Sequence, residues 1–173
     1  MSDRRAELRE GAKLELGGVV VDLGQQVDVE IRVSETPSGR AVSLPVQILR
    51  AAEPGPTVLV TGAVHGDEIN GTGVVRALIR HELVGFRTGT LILVPVVNMP
   101  GFDRRARYLP DRRDLNRCFP GSQRGSLSAR YAFEVFDQLV RTSDYCIDLH
   151  TGAVQRTNFP NIRADMSDPR VAR

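Results

Sequence analysis

At 173 residues the chain holds material for one hydrophobic core. Its formal charge of +2 supplies no basic footprint for nucleic acid. The longest apolar run, residues 91–97, falls far short of the roughly 20 residues that cross a bilayer. Residues 1–13 are charged and lack the apolar core of a secretory signal. Cys118 and Cys146 are the only thiols, so the expectation is a reducing, cytoplasmic setting with no disulfide framework.

Taken in order, residues 1–13 read as a loosely helical start. Val27, Val29, Ile31 and Val33 alternate with polar residues, as do Val42, Leu44, Val46 and Ile48. That period of two, with turn chemistry at 35–39, predicts a hairpin over about 26–49. Pro45 has no N–H for a ladder, which predicts an edge or a bulge there. The Glu-Pro-Gly-Pro run at 53–56 is expected to break the chain before a buried strand at Val58, Leu59 and Val60. Gly62 and Gly66 are expected to supply a tight turn that presents His65 and Glu68. A histidine and a carboxylate three apart can reach one ion, and zinc accepts both donors; a solvated loop gives the same spacing.

Residues 70–83 have helical spacing, with Val74, Val75, Leu78 and Ile79 on one face and His81 on the surface. Residues 89–97 form an almost wholly apolar strand of the kind buried on both faces. The arginine-rich stretch 98–123 is expected to be irregular. A helix follows over 128–140, with Ala132, Val135, Phe136 and Leu139 inward and Ser126 or Ser128 as its cap. Residues 145–149 form a third strand, which ends at His150.

Strand, helix, strand, helix, strand implies an α/β fold with a mixed, largely parallel sheet flanked by helices. The hairpin segment, residues 1–50, is expected to pack on a main domain of residues 51–173. Ligands in such sheets lie beyond the carboxyl ends of the strands. Those ends carry His65 with Glu68, then Asn98, then His150. Two histidines and a carboxylate are a common catalytic zinc set that leaves a fourth position open.

Five motifs then coincide: Gly62-Ala-Val-His-Gly-Asp-Glu68, Pro95-Val-Val-Asn-Met-Pro-Gly101, Arg107-Tyr108, Asp114-Leu-Asn-Arg-Cys-Phe-Pro-Gly121 and Asp148-Leu-His-Thr-Gly152. With them the chain resembles the succinylglutamate desuccinylase/aspartoacylase family of the zinc carboxypeptidase superfamily. The resemblance implies one zinc per chain held by His65, Glu68 and His150. It implies hydrolysis of the amide that joins an acyl group to an amino acid, on a small-molecule substrate with no nucleic acid or membrane involved. Asn116 and Arg117 match the residues that hold the substrate carboxylate, and Arg107 matches the arginine that stabilises the oxyanion. Asp114 matches the carboxylate that orients a ligand histidine, here His65. Asp148 is expected either to help His150 or to sit as a satisfied buried carboxylate.

Members of the family are longer and draw a general-base glutamate from their later half. No segment after His150 matches its motif, and residues 158–173 contain no glutamate. The expectation is therefore an amino-terminal portion that lacks its base, is inactive alone and tends to self-associate through an uncovered sheet edge. The other readings are a non-catalytic zinc or carboxylate-binding module and a metallocarboxypeptidase acting on peptides.

Overall fold

The computed structural model describes residues 4–80, 86–153, 156–168 and 171. Four helices are described, α1 (Arg4–Arg9), α2 (Ile69–Arg80), α3 (Met99–Asp103) and α4 (Leu127–Gln138). A small antiparallel hairpin joins β1 (Leu14–Leu16) to β2 (Val19–Val21). The main sheet contains β3 (Gln26–Glu35), β4 (Ala41–Arg50), β5 (Glu53–Gly62), β6 (Thr88–Val94) and β7 (Tyr145–Leu149) in the order β3-β4-β6-β5-β7. β3–β4 and β4–β6 are antiparallel, whereas β5 runs parallel to both β6 and β7. The expected mixed sheet is thus present, and the predicted hairpin is two of its strands.

The period of two appears directly as burial: Val29, Ile31 and Val33 on β3 and Leu44, Val46 and Ile48 on β4 are buried. With Tyr131, Ala132, Val135 and Leu139 of α4 they form the larger apolar cluster. Val75 of α2 covers the opposite face, packing with Leu49, Val60 and Leu93. Helices therefore protect both faces of β6, which explains its nearly continuous apolar sequence.

The edge expected at Pro45 is present locally, and several other expectations need correction. Pro45 lies on an interior strand, paired with Glu30. It is tolerated because β6 joins β4 only from Gln47 onward, so β4 is locally an edge at Pro45. The Glu-Pro-Gly-Pro run is the start of β5, where a register shift between Glu53 and Thr57 absorbs the two prolines. Residues 98–123 are not wholly irregular. They contain α3 and a 3-10 turn at Leu115–Arg117, both too short for periodicity to reveal. Val74 is 51% exposed because the stripe facing the sheet is Gly71, Thr72 and Val75. The β1–β2 hairpin was not anticipated. α2 is described to Arg80, and His81 lies outside the described residues. None of the described helices is long and apolar enough to cross a membrane.

Ser126 caps α4 through the Ala129 N–H, as one of the two expected options, at 3.2 Å. The Ser128 N–H and hydroxyl both donate to Asp111, at 2.9 and 2.5 Å. Burial pushes the Asp111 carboxyl up, but the bonds from Ser128 outweigh it and hold the group below the ordinary carboxylate range. A lowered folded-state pKa contributes stability above the unfolded pKa and loses it as pH falls through the folded value. Asp111→Asn should therefore destabilise the protein at neutral pH and flatten the acid limb of its stability curve. Urea unfolding at pH 7 and pH 3 measures this; parallel curves for the two proteins would refute it.

Candidate metal centre

β5 and β7 lie side by side and point the same way, so the residues following them emerge at one edge of the sheet. His65 and Glu68 follow β5, and His150 directly follows β7. The loop after β5 does not turn on its glycines. Ala63 takes the left-handed conformation, with φ of 51°. Gly62 and Gly66 are needed for close approach instead. A Cβ on Gly66 would stand 2.1 Å from the carbonyl carbon of Gly101 and 2.3 Å from the nitrogen of Phe102. The ligand-bearing loop is thus pressed against α3.

Asn98 fixes the other side of that contact. Fully buried, it caps α3 by accepting from the Gly101 N–H at 2.9 Å. Its amide donates to the carbonyls of Val64 and Arg107, at 3.4 and 3.3 Å. Its role is to hold backbone.

His65, Glu68 and His150 each offer a ligand atom, and all three atoms lie within 4.8 Å of one another. His65 Nδ1 is 3.0 Å from Glu68 Oε1, and His150 Nδ1 is 2.8 Å from Glu68 Oε2. The two remaining ring nitrogens each meet a second carboxylate. His65 Nε2 lies 2.9 Å from Asp114 Oδ1, and His150 Nε2 lies 2.6 Å from Asp148 Oδ2. Asp148 is oriented in turn by the Thr61 hydroxyl at 2.8 Å; it is exposed, so of the two expected roles the buried carboxylate does not hold and the contact with His150 does. Arg107 donates to Glu68 Oε1 at 2.7 Å and approaches Asp114 at 3.9 Å.

The electrostatics suit a cation. Burial raises the Glu68 carboxyl, but the Thr151 N–H at 3.0 Å, Arg107 and His150 together bring it below its ordinary value. Asp114 is likewise lowered by the His65 bond against its burial. The bond to Asp148 pushes His150 up to about 9. Three carboxylates against one guanidinium leave two negative charges once a divalent ion displaces the His150 proton, the complement of that ion's charge. Imidazole nitrogen with carboxylate oxygen is a zinc-type donor set, and an outer carboxylate on each histidine is its usual support. The residues present fit zinc.

A cleft of about 560 Å³ opens beside this cluster, lined by Asp67, Glu68, Arg107, Tyr108, Asp114, Thr151, Ala153, Arg156 and Asn158. Asn116 and Arg117 are exposed and do not line it; the Arg117 guanidinium donates to the carbonyl of Asn116 at 3.3 Å. Thr151, within the 148–152 motif, was given no role in the sequence, and Arg156 and Asn158 were missed. Their only signal is proximity to His150 in an aperiodic segment.

Comparison with known proteins gives a consistent result. Residues 54–173 match the model of the succinylglutamate desuccinylase/aspartoacylase catalytic domain. The chain is 38% identical over 113 residues to N-alpha-acetyl-L-2,4-diaminobutyric acid deacetylase of Halomonas elongata, covering 65% of this chain and 33% of that protein. It is similar to the crystal structure of an aspartoacylase family protein from Mesorhizobium loti, with 33% identity and a TM-score of 0.68, over 75% of this chain and 41% of that one. It is also similar to the product-bound ectoine utilization protein EutE (DoeB) from Ruegeria pomeroyi, with 31% identity and a TM-score of 0.66, over 76% and 41%. The chain thus spans a third of the curated relative's length and about two fifths of these solved ones.

Proposed function

Because the chain belongs to the succinylglutamate desuccinylase/aspartoacylase family, we propose that it carries the zinc site of a hydrolase that cleaves the amide bond of an N-acyl amino acid. The observation that carries this reading is the convergence of His65, Glu68 and His150 at the end of two adjacent parallel strands, with a carboxylate behind each histidine. The names of the relatives support the substrate class.

In this reading His65, Glu68 and His150 hold one zinc. Zinc bound there supplies Lewis acidity and an acidified water at neutral pH. Asp114 and Asp148 fix the imidazole tautomers and rotations. Arg107 lines the cleft beside Glu68, where its positive charge stabilises the negative charge that develops on the scissile carbonyl oxygen. Asn116 and Arg117 serve the substrate carboxylate from outside the cleft, Arg117 with a planar fork suited to two oxygens. A cytoplasmic setting accompanies the reading, supported by free thiols at Cys118 and Cys146.

The test is zinc-dependent release of amino acid from N-acyl amino acids, assayed with the 173-residue chain and with any longer product of its gene. Activity confined to peptides would place the protein with carboxypeptidases instead. The outer carboxylates give a graded second check. Asp148→Asn should lower zinc affinity about 10–100-fold, the usual effect of removing such a partner. Competition with a fluorescent chelator reads this, and an unchanged affinity would remove Asp148 from the site.

A further inference from the structure

Alternation along β3 and β4 sends Val29 and Val46 into the apolar cluster beneath α4. It leaves two cross-strand pairs, Asp28 with Gln47 and Glu30 with Pro45, on the opposite face. A groove of about 320 Å³ opens there, bounded further by Ile79 of α2 and by Pro95. It shares no lining residue with the cleft beside the metal cluster.

Gln47 is the informative residue. It is 7% exposed, and its amide nitrogen donates to Asp28 Oδ1 at 3.0 Å. Its oxygen Oε1 is buried and accepts no hydrogen bond from the described residues. Turning the amide over would set that oxygen against the Asp28 carboxylate, so the bond to Asp28 fixes which end is left over. Buried acceptors without a donor are rare, because they forfeit hydration with nothing in its place. Asp28 and Glu30 are exposed, and neither forms an ion pair among the described residues. A molecule suited to this groove therefore donates hydrogen bonds, carries positive charge and lays an apolar stem against Pro45, Ile79 and Pro95. A protonated primary amine meets all three conditions, with three donors and no acceptor on its head.

We propose that the groove is a second binding site, for the cation of a short aliphatic primary amine. The ammonium group donates to Gln47 Oε1 and to the carboxylates of Asp28 and Glu30. Its chain lies along Pro45, Ile79 and Pro95. The volume stands at the small end of the range for ligand sites, which suits a free amine rather than the surface of a protein.

The probe is n-butylammonium, titrated into zinc-loaded protein at pH 7 and followed by two-dimensional NMR. Butanol and butyrate keep the chain while removing or reversing the charge. The Gln47 side-chain amide and the Ile79 N–H should shift with butylammonium, while the Glu68 and Thr151 signals stay in place. Neither butanol nor butyrate should saturate these shifts. Gln47→Met keeps the length and removes the acceptor; it should weaken binding about tenfold or more, the scale of one hydrogen bond to a charged group. Glu30→Gln alters an exposed side chain and leaves the fold alone; it should weaken binding several-fold, most clearly at low salt. Equal binding of the three probes would show a water-filled groove with no preference for amines and overturn the proposal. So would an unchanged affinity in Glu30→Gln, or shifts confined to the residues around Glu68.

Discussion

Alanine at Gly66 should destabilise the protein by about 3 kcal/mol or more and strip its zinc in the same step. The added Cβ would meet the Gly101 carbonyl carbon, the Phe102 nitrogen and the Ala106 oxygen at 2.1, 2.3 and 2.5 Å. All three are backbone atoms, so no rotamer change relieves the overlap, and either α3 or the His65–Glu68 loop has to move. Overpacking of this kind typically costs 1–3 kcal/mol where side chains can adjust, and more where they cannot. The same substitution at Gly73, which has nothing within 4 Å of its virtual Cβ, should be neutral or slightly stabilising, because alanine outranks glycine in a helix. Chemical denaturation of the two variants separates a local clash from a general intolerance of side chains. Equal stability of Gly66→Ala and wild type would show that the loop and α3 are not in contact.

The other large effect falls on metal content. Purified protein should contain about one zinc per chain, and His65→Ala, His150→Ala or Glu68→Gln should each lose it. Deleting a ligand removes a bond to the ion, so the loss should exceed the 10–100-fold expected of the outer carboxylates. Glu68→Gln is informative because its shape is retained. It replaces an anionic oxygen and leaves Arg107, now bonded to Glu68 at 2.7 Å, facing a neutral amide. Elemental analysis after dialysis against trace zinc gives the result, and equal stoichiometry in all four proteins would refute the ligand set.

The parts of this site that sequence reveals are those set by strand ends. His65 and Glu68 follow the buried end of β5 and His150 directly follows β7, an exposed edge strand, and parallel pairing brings those ends together. Asp114 was reached only through the family motif, since nothing local ties residue 114 to residue 65. The five-residue α3 is invisible to periodicity because it has less than two turns. It is held by the Asn98 cap, Pro100 at its start and the contact with Gly66. Pro45 correctly marked a local edge, which exists because β6 stops pairing with β4 short of it. Arg156 and Asn158 carry no pattern at all. Their place in the cleft follows from the turn that the Arg156 N–H closes on the Ala153 carbonyl over Gly152, which sequence shows only as one glycine among 16.

Asn98 ties together the segments carrying His65 and Arg107 through one side chain that has no solvent contact. A shift in either segment is therefore felt by the other, and the distance between the metal cluster and Arg107 behaves as a single mechanical dimension. The wall made by Ala153, Arg156 and Asn158 has no such link to Asn98 among the described residues. Substitutions at Ala153, Arg156 or Asn158 therefore act on the cleft without loosening the segments that carry His65 and Arg107. Substitutions around residues 98–107, by contrast, move the metal cluster and Arg107 together.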